Sequence, residues 1–289
     1  MKPNTVPRAI GILAMLSATA ATEAHPGVGI VQDSRENVFF TDLKQVWKIA
    51  PDGGKSVVVP GVHTHELCID TEDNLYGEHL WGDGGTWRHR VWRLKRAGAL
   101  NDVIPARGGF LRDYSFVRDG SGNMYWADRG EKTVIKKRSP DGMITTHATT
   151  DFHMVQRMAA TPDGKLFLMD GGNLRQVSPA GKVTTLATNL SEFSPPPAAV
   201  SEMNYHMGLW TDHAGSVYVA VSRERLVLRV RADGTRKVVA RSGEGWSPSG
   251  GMFDRAGSLW LLEYDPGNSV RARRIRPDGH DQIFSTSGN

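Results

Sequence analysis

A wholly β chain made of six like units is what this sequence predicts, and three observations predict it. The stretch from Asp119 to Gly142 runs Asp-x-x-Gly-Asn into an apolar-aromatic run (Met124, Tyr125, Trp126), a second run at Val134 and Ile135, and then Pro140-Asp141-Gly142. Short β-prone runs bounded by Gly, Pro, Asn and Asp are strands joined by tight turns. Aligned on Asn123, the pattern returns at Asn37, Asn74, Lys165, Ser216 and Ser258, with spacings of 37, 49, 42, 51 and 42 residues. No run of helical periodicity is long enough to compete. A lone hairpin is marginal in water, so the units must stack on copies of themselves. Four strands in roughly 42 residues, six times over, predict a six-bladed β-propeller with four antiparallel strands per blade.

Residues 1–24 differ from the rest. Lys2 and Arg8 precede a small-apolar run from Ala9 to Ala21, and cleavable small residues lie near Ala20–Ala24. This is the pattern of a secretory signal peptide, and it predicts a periplasmic or secreted protein with no membrane span. The six blades are expected at about 27–60, 64–106, 112–149, 155–188, 205–241 and 247–286, forming one domain over 25–289. Each opens with a short strand, passes an Asp-led turn into a second, continues through a third (VWKI, VWRL, VIKK, LRQV, VLRV, ARRI) and closes after a Gly turn with a fourth.

The single cysteine, Cys68, allows no internal disulfide and reads as a small core residue on an apolar strand. With a formal net charge of +4 the chain is mildly basic. Its arginines alternate with apolar residues, as in Leu228-Arg229-Val230-Arg231, which is the in-out period of a half-exposed strand. Nucleic-acid binding wants basic residues interleaved with exposed aromatics along one groove, so no nucleic-acid partner is expected. A monomer is.

The repeat resembles the NHL repeat and, more loosely, the gluconolactonase and senescence-marker propellers, across residues 27 to 285. That resemblance implies the six-bladed architecture. Propellers host many unrelated activities, so it leaves the function open.

Function is sought on one face. Loops between second and third strands, and those linking blades, open on the same side of a propeller. Both long spacings fall there, as insertions at Gly77–Arg90 and Thr188–Met203, and insertions gathered on one face mark a binding face. The residues leading into the first strands lie on that side too, around the central channel. They include His63, His65 and Glu66 of blade two, Arg112, Asp113 and Tyr114 of blade three, and His153, Gln156 and Arg157 of blade four. Blade five supplies Asn204, Tyr205 and His206, and blade six Trp246; the ends of second strands add Asp42, Glu78, Asp128, Asp170 and Glu263.

Histidines from different blades aimed at one axis can make an open metal site. His65, His153 and His206 are the nominated ligands of a divalent ion, zinc or calcium, with Glu66 as ligand or orienter. Arg112 and Arg157 would hold a carboxylate or oxyanion, and Tyr114 or Tyr205 would serve as acid or base. His63, Asp113, Gln156, Asn204, Trp246 and Glu263 would contact the ligand. The arrangement is similar to the channel of the peptidyl-hydroxyglycine amidating lyase, which holds zinc by three histidines at one equivalent position per blade. Here His65 stands at that position, His206 one residue and His153 three residues further upstream. The gluconolactonase family holds its divalent ion through Glu, Asn, Asn and Asp. The positions five before each anchoring residue here read Val28, His65, Tyr114, Gln156, Met207 and Ser249, so that lactonase activity does not carry over. Polar plugs of a wet channel are the other reading of the histidines.

The expectation is a propeller whose top channel binds a small polar or anionic molecule or a peptide, working as a metal-dependent hydrolase or lyase. The alternative is a non-catalytic NHL-type module for a peptide, glycan or protein partner.

Overall fold

The structure, a computed structural model, describes residues 26–108, 115–190, 206–212 and 214–286. The chain is a six-bladed β-propeller. Blade one holds β1 (Ile30–Gln32), β2 (Val38–Thr41), β3 (Gln45–Ile49) and β4 (Lys55–Pro60); blade two β5 (Leu67–Ile69), β6 (Leu75–Asp83), β7 (Thr86–Leu94) and β8 (Leu100–Gly108). Blade three holds β9 (Val117–Arg118), β10 (Met124–Arg129), β11 (Thr133–Arg138) and β12 (Ile144–Ala148); blade four β13 (Val155–Ala160), β14 (Leu166–Asp170), β15 (Asn173–Val177) and β16 (Val183–Ala187). Blade five holds β17 (His206–Thr211), β18 (Val217–Val221), β19 (Leu226–Val230) and β20 (Arg236–Arg241); blade six β21 (Ser247–Phe253), β22 (Leu259–Tyr264), β23 (Val270–Ile275) and β24 (Asp281–Ser285). Every pairing is antiparallel between successive strands, so each sheet is one uninterrupted segment of chain.

The Asp-led turn explains why the repeat needs its residues. Asp119 Oδ1 accepts the amides of Ser121 and Asn123, while its Oδ2 takes Asn123 Nδ2 and the Tyr125 hydroxyl. Asp70 does the same with Asn74 and Tyr76, Asp212 with Ser216 and Tyr218, and Asp254 with Ser258 and Trp260. One carboxylate thus satisfies a turn's orphan amides and ties the second strand to it. In blades one and four the aromatic is Phe39 or Phe167, which has no hydroxyl to offer.

The core lies between blades. Phe39, Val46 and Val59 of blade one pack on Leu67, Leu75 and Trp92 of blade two. At the other junction Ile30, Phe40 and Ile49 meet Trp260, Leu262 and Phe284 of blade six. Among the described residues no strand is exchanged to close the ring. Closure rests on this apolar packing and on Arg255, whose amide donates to Gln32 Oε1 (3.1 Å) and whose Nη1 donates to the Ser34 carbonyl (2.7 Å).

Innermost strands face the axis edge-on, which leaves them close to one another. A Cβ on Gly250 would lie 2.0 Å from the Val28 carbonyl oxygen, one on Gly29 2.4 Å from the Leu67 amide, and one on Gly208 2.4 Å from the Ser249 carbonyl. Glycine at these three positions lets blades five, six, one and two draw together. The His65 carbonyl accepts both the Val28 and Gly29 amides across that gap.

Candidate functional site

The long spacing in blade two is strand, not loose loop. Residues 75–94 form one extended hairpin closed by Gly84 and Gly85, both at positive φ (55° and 83°), as a two-residue hairpin turn requires. In this register Glu78 faces Val91 and Leu80 faces His89. Cross-strand partners share a face, so Glu78 and His89 stand on the same side.

That side is held down by Trp92, whose Nε1 donates to the Glu78 carbonyl (3.0 Å) and to Thr64 Oγ1 (3.2 Å). Gly77 makes room for the indole, since a Cβ there would fall 2.4 Å from Trp92 Cζ2. Thr64 Oγ1 donates to the Glu78 carbonyl (2.6 Å) and Thr41 Oγ1 to the Thr64 carbonyl (2.7 Å). The lead-in from His63 to Glu66 is thereby fixed against the hairpin.

Glu78 has no exposed side-chain surface, and His65 beside it is 12% exposed. Glu78 Oε1 accepts the His65 backbone amide and lies 3.1 Å from His65 Nδ1. Its Oε2 has no hydrogen-bond partner, nor has either ring nitrogen of the buried His89. Burial pushes the Glu78 carboxyl up to about 8, against the pull of neighbouring backbone amides. Glu66 is also raised to about 8, first by burial and then by the Glu78 charge, with Arg157 opposing. Burial holds His89 below the usual imidazole range, and the charge on His65 adds to this. His79 is down to about 4 through burial, then Arg90 and His63. His79 Nδ1 accepts the His63 amide at 2.8 Å, and its ring stacks on Trp81 at 4.8 Å.

The other nominated residues are engaged differently. Arg157 Nε donates to the Met207 carbonyl at 2.5 Å, bracing blade four on blade five. Arg129 braces blade three on blade four through the Val155 carbonyl in the same way. Gln156 is buried, with Nε2 on Met154 Sδ at 3.8 Å. Glu263 is fully buried between Arg271 (2.7 Å) and Arg273 (3.6 Å). Arg271 also lies 4.0 Å over the Trp246 ring, so these two residues belong to the frame of blade six. His153 is exposed on the turn before β13, packed near Gly171. His206 is buried at the top of blade five, with a hydrogen bond to the Leu190 backbone, and burial lowers it to about 4. Arg112, Asp113, Tyr114, Asn204 and Tyr205 lie outside the described residues, as does most of the second insertion.

Among the described residues, no three His, Cys, Asp or Glu side chains gather as a group that could hold a metal ion. His65, His153 and His206 therefore do not form the expected cluster. Among the described residues, the donors do not gather into a zinc or calcium centre.

Cys68 is half-buried: it packs against the core between blades two and three, as expected, and it also lines the channel. Burial, and next the Glu66 charge, raise its thiol pKa, so it is a poor nucleophile. The channel holds a cavity of about 420 Å³ that runs from Glu66 to Asp70, Asp119, Pro162 and Thr211 at the face of the short turns. That face is opposite the one on which the sequence places the insertions. Glu78 was recognisable as a strand end. His89 became a neighbour only once the hairpin register was known.

The six-bladed fold recurs in solved structures of other proteins. No family model matches the chain, and no curated protein sequence matches it. Among solved structures it is similar to virginiamycin B lyase from Staphylococcus aureus, with a TM-score of 0.57 and 11% identity, covering 92% of this chain and 86% of that one. It is also similar to a gluconolactonase from Xanthomonas campestris (TM-score 0.60, 15% identity, 84% of each chain). A calcium-binding regucalcin from Agrobacterium tumefaciens has a TM-score of 0.58 at 16% identity, covering 84% of this chain and 83% of that one. Among the described residues no helix is long and apolar enough to cross a membrane.

Proposed function

We propose that the chain is an enzyme of the hydrolase or lyase kind that binds a small polar molecule at the top of its channel, against blade two. In this reading His65 and Glu78 are the proton-transfer pair. One observation carries it: a fully buried carboxyl whose first oxygen is held by His65 and whose second has no partner. Leaving such a group unpartnered is costly, and function is a common reason for it. A carboxyl near pH 8 is protonated at neutrality and can give its proton to a leaving group, with the His65 imidazole beside it as the partner in proton transfer. Glu66 beside it adds a second carboxyl of similar affinity. No step in this reading uses a metal ion.

The similar structures supply the probes, although at such identities they support the fold alone. Quinupristin, bound in one virginiamycin B lyase structure, and a gluconolactone would be offered to the purified protein. Turnover of either is expected to fall at least a hundredfold in both Glu78→Gln and His65→Asn. Turnover of neither by the wild type, or full activity in two folded variants, would sink the reading. Export directed by residues 1–24 belongs to the same proposal. The mass of the mature protein recovered outside the cytoplasm tests it, with loss of about the first 20 to 24 residues expected from the small-residue cleavage pattern.

A further inference from the structure

We propose that the cavity at the turn face is a second binding site, taking a small, uncharged, mostly apolar molecule that carries one hydrogen-bond acceptor. The cavity is about 420 Å³, within the range of small-molecule sites. Its walls are apolar, with Ile30, Leu67, Val117, Met158, Leu209 and Met252 from all six blades. The close approaches at Gly29, Gly208 and Gly250 narrow the ring at the level of Glu66. None of the described top-loop residues from His63 to His65, or His153 and Met154, lines the cavity. It is a well that opens on the turn side and ends at Glu66, with neither His65 nor Glu78 in its lining.

Two observations define the occupant. Trp210 lines the well, is 7% exposed, and its Nε1–H has no acceptor. The indoles of Trp47, Trp92 and Trp260 all donate to protein oxygens, so Trp210 stands apart from them. The charges at the mouth are already answered. Arg118 lies 3.9 Å from Asp70 and 4.0 Å over the Tyr76 ring, and Asp119 is held by Asn123 and Tyr125. With both signs paired at the rim, an ion gains little there. An apolar body gains its burial.

Isothermal titration calorimetry with 1-naphthol as probe tests this. One saturable site is expected in the wild type, at least tenfold weaker in Ala160→Leu, which fills the wall, and in Thr211→Phe, which narrows the mouth. Naphthalene, which lacks the acceptor, is expected to bind at least fivefold more weakly than 1-naphthol. Glu78→Gln is expected to leave naphthol binding unchanged, which separates this site from the one above. Should Ala160→Leu fail to fold, Thr211→Phe at the half-exposed rim still decides. Absence of saturable binding, or undiminished affinity in a variant that melts like the parent, overturns the proposal. Equal affinity for naphthalene overturns the role of Trp210.

Discussion

His65 meets Glu78 through two different atoms. Its backbone amide and its Nδ1 both reach the same carboxylate oxygen, Oε1, leaving Oε2 unpartnered in a fully buried corner. Backbone and side chain of one residue thus hold one end of the carboxyl in place.

The raised carboxyl gives stability a sign that can be measured. Glu78 in the fold keeps its proton up to about pH 8, whereas the unfolded chain releases it near 4.5. The native state binds more protons across that window, so this group's contribution to stability declines as pH rises from about 4.5 to 8. Relative to the wild type, Glu78→Gln should gain stability progressively over that range. Chemical unfolding at pH 5 and pH 8 checks it, and a constant difference between the two proteins would contradict it.

His206 should act in the opposite direction. Burial lowers it from 6.5 to about 4, so below pH 6.5 the unfolded chain takes a proton that the fold refuses. Its stabilising contribution is complete above 6.5 and declines as pH falls toward 4. His206→Gln should therefore lose less stability than the wild type between pH 6.5 and 4. Melting curves at those two values read this out.

Glu263 is expected to be structural. Removing a carboxylate buried between Arg271 and Arg273 leaves Arg271 without its carboxylate partner, while Arg273 keeps Asp281. Glu263→Ala should cost about 3 kcal/mol without changing affinity for a bound probe. A stable variant with altered binding would return Glu263 to the ligand site.

Gly250→Ala and Gly82→Ala make a matched pair. The first places a methyl 2.0 Å from the Val28 carbonyl; the second meets nothing within 4 Å. Backbone must move in the first case, at a cost of about 1–3 kcal/mol, while the second should stay within about 0.5 kcal/mol. Denaturant midpoints distinguish them.

The turn carboxylates offer a smaller test. Tyr125→Phe removes the bond from the hydroxyl to Asp119 at 2.9 Å in a buried setting. A loss of about 1 kcal/mol is expected. No measurable loss would show that the bond adds nothing beyond packing.

Blade count, strand order and the turn from Asp119 to Asn123 were legible in the chain, because such turns arise within about ten residues and recur in every blade. Local turn chemistry and period-two alternation act at short range, and a repeat prints them over and over. The site was only partly legible. His65 and Glu66 were named, and Glu78 was noticed as a strand end, but His89 depended on a hairpin register that one residue's slip would reverse. Arg157 and Glu263 carry the right charges at the right rim. What they touch is a carbonyl of the next blade and two arginines of their own.

By itself, then, the sequence determined the repeating unit, its turns and the number of blades, since each follows from the backbone preferences of neighbouring residues. Only the tertiary structure decided which polar groups face one another across the ring and which stay on their own blade. It also decided where the channel narrows, because that depends on backbones from different blades approaching at Gly29, Gly208 and Gly250. Contacts between residues remote in sequence are set by how whole blades pack, and no local pattern records them.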